Sequence, residues 1–365
     1  MNKTQVLHLT GLNGIRAIAA IAVLVSHISL QLPDFGLNPI FIGSNNEAAG
    51  LALASFGVTV FFALSGFLIT YLLLLEKEKQ PIQVKHFYIR RILRIWPLYY
   101  LFMAICIVIY HIYDIDFSSL GFPFYIFFSV NFAMLAGATL PLMVHFWSIG
   151  VEEQFYIFWP WIAKLENKKL LKFCIKYVLI FYTIKVLFYF LQSRFHFLNI
   201  GLLILSVTRF HIMVMGGIGA ILYYERSKIV TFLKTKLAQI VAWFILLLAT
   251  VNVFHISSIL IDHEIIAMVT ITIILGQISR TNMMIDLDKK WFNFLGKISY
   301  GIYVIHPLLI FLALQYIGKF QESSFINYLI VYALIIVATI VLSYEFYEKK
   351  FLVYKDRFAK IKSRA

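Results

Sequence analysis

The sequence predicts an all-α, polytopic integral membrane protein with about ten transmembrane helices, on three observations. First, the 365 residues are 61% hydrophobic and 17% aromatic but only 14% charged, with a mean hydropathy of +0.84. A soluble domain does not expose so little charge. Second, apolar runs of about 20 residues recur, which is the length a bilayer selects. Lipid then forces backbone hydrogen bonds inside each segment, so the runs are helices. Third, Lys and Arg gather in alternate loops, so the net charge of +14 reads as cytoplasmic loops and not as a nucleic-acid surface. Cys106 and Cys174 lie in apolar runs without ligand spacing, so neither a disulfide framework nor a metal site is expected. The first apolar run follows Lys3 with no convincing cleavage site after it. No linker, repeat or low-complexity tract divides the chain, so residues 1–365 read as a single transmembrane domain.

The first span runs from about Leu12 to Leu32, and the following segment to Gly50 holds Asp34 and Glu47 but no Lys or Arg. A second span, about Leu51 to Leu75, ends in EKEKQPIQVKHFYIRR. The positive-inside rule therefore puts the N-terminus and this loop in the cytoplasm. A third span, about Ile92 to Tyr113, leaves on the outer side at Asp114 and Asp116. Phe122 to Gly137 is apolar, but counting it as a span would put Lys164, Lys168, Lys169 and Lys172 outside. It is expected instead to dip in and return, or to lie at the interface. The span holding Glu152 and Glu153 then runs inward, and later loops alternate correctly: Ser193 to Gly201 outside, ERSKIVTFLKTK inside, His255 to Glu264 outside, SRTNMMIDLDKK inside, GKFQESS outside. A short tail from about Glu348 ends the chain in the cytoplasm, so both termini face inward across the cytoplasmic (inner) membrane. The spans near Thr208 and Ala267 are the weakest.

The chemistry concentrates in His145 to Pro160, HFWSIGVEEQFYIFWP, a span with adjacent carboxylates Glu152 and Glu153. An ionisable side chain in a bilayer is costly unless it is paired or faces a polar cavity, and marks a functional site by default. In the first span, Arg16 and His27 lie about 16 Å apart along the helix and about 20° apart around it, on one face. Counted from the outer ends of their spans, His27 and the carboxylates differ in depth by about 3 Å. Histidine beside carboxylate is an arrangement for general-base chemistry. The competing reading is that each is a hydrogen-bonded packing residue.

A second constellation, RRILRIWP, puts Arg90, Arg91 and Arg94 at the cytoplasmic end of the third span, before Pro97, which is expected to kink or reset that helix. Arg91 and Arg94 share a face, as do Arg90 and Arg94. Guanidinium groups so aligned bind phosphates bidentately. They equally anchor a span against anionic lipid. Ser65, His306 and Arg209 are further polar residues in spans, and read as packing or hydrogen-bonding groups.

LNGIRAIAAIAVLVSH, VFFALSGFLIT, RRILRIWPLY, WSIGVEEQFY and ISYGIYVIHP follow the order and spacing of the membrane acyltransferase-3 family, which the chain resembles over nearly its whole length. The resemblance implies a ten-helix acyltransferase taking an acyl group, usually acetyl, from cytoplasmic acetyl-CoA or another acyl-CoA. The acceptor it implies is a hydroxyl of a carbohydrate or lipid-linked glycan, with polysaccharide-assembly proteins as partners. The family's functional histidine corresponds to His27, its first-helix arginine to Arg16, and its Arg-x-x-Arg pair to Arg91 and Arg94. Two departures stand out: Asn13 occupies the place of the usual Asp, and Glu348-Lys349-Lys350-Phe351 that of a usual Glu-Arg-Pro-Phe. No SGNH-type domain, which some relatives carry, is expected, since the chain ends about 20 residues after its last span.

The joint expectation places CoA phosphates at the arginines and the thioester near His27, Glu152 and Glu153. His27 then acts as base or carries the acyl group itself. The rival reading is a proton-coupled transporter or channel, for which paired carboxylates and a histidine also serve as a relay; a third is a glycolipid flippase or a structural subunit of a polysaccharide machine.

Overall fold

In lipid, a long apolar run satisfies its backbone by coiling, and most of the described residues lie in helices. The computed structural model describes residues 6–7, 9–42, 52–254, 256–257, 260–345 and 362–363. Glu47, His255 and the segment Glu348 to Phe351 lie outside the described residues. The helices are α1 (Leu12–Leu30), α2 (Leu53–Lys79), α3 (Val84–Ile112), α4 (Phe122–Ile126), α5 (Val130–Leu135), α6 (Trp147–Ile162) and α7 (Asn167–Leu191). They continue as α8 (Leu198–Thr208), α9 (Phe210–Tyr224), α10 (Lys228–Leu233), α11 (Lys236–Thr250), α12 (Asp262–Ser279), α13 (Lys290–Ile317) and α14 (Phe325–Ser343). Val6–Leu7 and Lys362–Ser363 pair as two-residue parallel strands.

The count of ten spans needs correction. Among the described residues 7 helices are long and apolar enough to cross a membrane, or 8 if α8 and α9 count as one span. That pair bends by 42° at Arg209, whose φ of 41° breaks the helical ladder. The other two expected spans are α6 and α11, with 16 and 15 residues, against the roughly 20 that a full crossing takes. Between α3 and α6, α4 and α5 have 5 and 6 residues and are too short to span. Pro97, expected to kink or reset the third span, lies inside the single helix α3.

Burial sorts the helices. In the apolar stretch of α1, α2 and α12 72% of residues are buried, against 11% in α7 and 17% in α14. Asn13, Arg16, Thr59 and Thr70 therefore sit inside the bundle, where they can be paired. α1 packs between α2 and α13, and α2 packs on α9. Glycine sets the last approach: a Cβ on Gly66 would lie 1.9 Å from the Met213 carbonyl oxygen, and one on Gly216 2.1 Å from that of Ala63. Backbone touching backbone through small residues is the packing that apolar helices use in lipid.

Candidate active site

α6 delivers its two carboxylates to different places, because adjacent helical residues point about 100° apart. Glu152 accepts hydrogen bonds from Ser65 (2.8 Å) on α2 and Tyr156 (3.1 Å). It lines a narrow cavity of about 80 Å³ together with Arg16, Arg91, Arg94 and Tyr303. Arg91 lies over the rings of Phe87 and Tyr156, at 5.5 and 5.4 Å. Its Nε is buried without a hydrogen-bond partner among the described residues. Three guanidinium groups against one carboxylate make this cavity a place for an anion. Glu153 turns away, accepts from the Trp96 indole at 2.9 Å, and lines neither this cavity nor the one below.

Arg16 donates to the Asn13 side-chain oxygen at 3.1 Å. The Asn13 amide in turn donates to Asn293 (3.1 Å), whose amide donates to Asp288 (3.0 Å). The acidic group absent at position 13 is thus supplied two side chains further on. Arg90 departs from the expected cluster: it pairs with Glu76 at 3.5 Å. Glu76 also accepts the backbone N–H of Gln83 at 2.8 Å, so this ion pair ties the α2–α3 turn and leaves Arg90 off the cavity wall.

His27 lines a second, wider cavity of about 620 Å³, with Ser55, His145, Trp147 and Tyr303 also in its wall. The expected pairing of His27 with Glu152 and Glu153 is not made. Its ring meets His306 on α13 instead, Nδ1 to Nε2, at 2.6 Å. The physical reason is where α6 starts. Residues Val144–Phe146 form a 3₁₀ turn and the α-helix begins at Trp147, so the level of the His27–His306 pair is met by residues 145–148. His145 approaches His306 with ring centroids 5.2 Å apart. Ser148 and the His145 carbonyl hold the Tyr303 hydroxyl at 2.6 and 2.9 Å. Glu152 sits one turn deeper. Tyr303 and Val58 line both cavities, which makes them the partition between the arginine side and the histidine side.

His306, His145, Tyr303 and Asn293 are the members that sequence reasoning missed as site residues. The signal was present in ISYGIYVIHP, whose polar residues recur at positions 299, 303 and 306 along one face of a helix. Among the described residues no group of 3 or more His, Cys, Asp or Glu is placed to hold a metal ion.

A family profile described as an acyltransferase domain matches residues 9–348. The chain belongs to the acyltransferase-3 family. Relatives of this acyltransferase-3 protein include the peptidoglycan O-acetyltransferase OatA of Listeria monocytogenes, 33% identical over 45% of this chain and 26% of that protein. An uncharacterised Haemophilus influenzae protein is 30% identical over 59% of the chain and 92% of its own length. A Staphylococcus aureus protein named provisionally as an O-acetyltransferase is 25% identical over 96% of the chain and 59% of its own length. The chain spans about a quarter of the length of the first two curated relatives it matches. No solved structure matches it.

Proposed function

We propose that this acyltransferase-3 protein is a membrane O-acetyltransferase. It moves acetyl from cytoplasmic acetyl-CoA, or a related acyl-CoA, to a hydroxyl of a carbohydrate or lipid-linked glycan. The observation that carries the reading is the meeting, at Tyr303, of an arginine-lined cavity and a histidine-lined one. One suits a phosphate-bearing donor and the other a hydroxyl acceptor. Arg16, Arg91 and Arg94 take the donor's phosphates; the unpartnered Arg91 Nε is an open donor for them. Glu152, fixed by Ser65 and Tyr156, offsets part of the arginines' positive charge. The name of the Listeria relative supports a glycan acceptor.

His27 removes the acceptor hydroxyl proton as the oxygen bonds to the thioester carbonyl carbon. The carbon–sulfur bond then breaks, and the imidazolium returns its proton to the leaving thiolate. The basic residues Lys77, Lys79 and Lys85 just before the arginines support a cytoplasmic face for the donor cavity, with both termini on that side of the cytoplasmic membrane.

Purified protein with radiolabelled acetyl-CoA and peptidoglycan-derived oligosaccharides tests this. Alkali-labile label is expected on glycan, and none with His27→Ala while acetyl-CoA still binds. Label remaining on protein, or full transfer by His27→Ala, contradicts the assignment of His27 as base.

A further inference from the structure

We propose that His306 is a positioning residue that fixes which nitrogen of His27 is free to accept a proton, and that Pro307 makes this possible. The inference rests on His27 being the base or nucleophile of the reaction.

α13 runs through Pro307. Proline has no backbone N–H, so the carbonyl of Tyr303, four residues back, loses its helical donor. A buried carbonyl in lipid needs another. His306 supplies it: its Nδ1 lies 2.8 Å from the Tyr303 oxygen and 3.2 Å from that of Ile302. Carbonyl oxygens only accept, so Nδ1 carries the hydrogen. In the neutral ring Nε2 is then the bare acceptor, and it faces His27 Nδ1 at 2.6 Å. The ring planes are inclined by 11° with centroids 4.9 Å apart. That spacing, so much longer than the nitrogen–nitrogen distance, sets the rings edge to edge, with the in-plane lone pair of His306 aimed along the bond.

His27 Nδ1 is therefore the donor, its single ring hydrogen sits there, and Nε2 keeps its lone pair. His145 is fixed in its own way, with Nε2 donating to the Val304 carbonyl at 3.1 Å. When the acceptor hydroxyl gives its proton to His27 Nε2, the Nδ1–H bond to His306 becomes charge-assisted and strengthens. No proton leaves the pair. His306 thus does, as a neutral acceptor, what a carboxylate does behind the histidine of a serine hydrolase. The fully buried setting of His306 explains why a neutral group serves: a carboxylate there would need a cation beside it.

The test is nitrogen NMR on histidine-labelled protein in nanodiscs, with His27 assigned by the signals lost in His27→Ala. The wild-type spectrum is expected to show His27 protonated at Nδ1 and bare at Nε2. In His306→Leu the His27 ring should become a mixture of tautomers, and acetyl transfer should fall on the order of a hundredfold with acetyl-CoA affinity unchanged. His306→Gln, whose amide oxygen accepts from Nδ1–H, should recover transfer to within about tenfold of wild type. A wild-type His27 protonated at Nε2 overturns the proposal, as does a His306→Leu enzyme with normal turnover. If His306→Leu does not fold, the wild-type spectrum decides alone. If no glycan is acetylated at all, the functional reading fails while the tautomer is still measured.

Discussion

Glu152 and Glu153 are neighbours in sequence and strangers in space. Glu152 faces Arg16, Arg91 and Arg94 across a cavity, and Glu153 accepts from Trp96 outside both cavities. Their neutral amides should therefore behave differently. Glu152→Gln should lower turnover about a hundredfold, since a preorganised charge in a dry site is worth that much. Glu153→Gln keeps an oxygen for the indole and should stay within about twofold, an effect under ~0.5 kcal/mol. Equal losses in both variants, measured as label transfer at saturating acetyl-CoA, would mean that the carboxylates act together after all. The arginines divide in the same way. Arg91→Lys should weaken acetyl-CoA binding nearly as much as Arg91→Ala, because a point charge does not replace a bidentate fork. Arg90→Lys preserves the Glu76 pair and should leave binding unchanged; isothermal titration separates the two, and full rescue at Arg91 favours lipid anchoring. Residue type and hydropathy made Arg16, His27, Arg91, Arg94 and Glu152 legible in the sequence, since a charge in an apolar run draws notice wherever it lies. The partner of His27 was not legible. His306 is 279 residues away, and helical spacing says which residues share a face, not which helix that face meets.

At the scale of helices, hydropathy found the apolar stretches but gave ten spans where 7 or 8 described helices are long and apolar enough to cross. An apolar window does not register a residue in the left-handed region, so α8 and α9 read as one straight span until Arg209 is seen at φ 41°. Nor does it register that α6 and α11 stop at 16 and 15 residues. The α2–α9 contact was equally hidden, because glycines look the same in a sequence whether they bend a chain or admit a neighbour. Gly66 admits one: its missing Cβ leaves room for the Met213 carbonyl, and the next residue back, Ser65, donates to Glu152. Gly66→Ala pushes the helices apart where neither backbone yields, at a cost of about 1–3 kcal/mol. The melting temperature in detergent should fall, and turnover should fall with it as Ser65 leaves Glu152. An unchanged melting temperature would show that α2 and α9 do not approach this closely.

For the whole molecule, the proposed donor enters the arginine cavity from the cytoplasm, and the direction of α6 decides which face the histidine cavity can draw an acceptor from. α3 begins at Val84, just after the basic end of α2 at Lys77 and Lys79, and is 29 residues long, enough to cross. α4 and α5 rise about 8–9 Å each, far short of the ~30 Å hydrocarbon core, so α6 is expected to start on the face where α3 ends. With 16 residues α6 covers about 24 Å before the basic run at Lys164, Lys168, Lys169 and Lys172. A reporter enzyme fused after Leu140 should therefore read external, and one fused after Lys169 cytoplasmic. Both on one side would mean that α6 enters and returns, so that the His27 cavity and the arginine cavity open to the same face. A cytoplasmic donor and an external acceptor could not then meet at Tyr303, and a glycan acceptor would have to be acetylated on the cytoplasmic side before export.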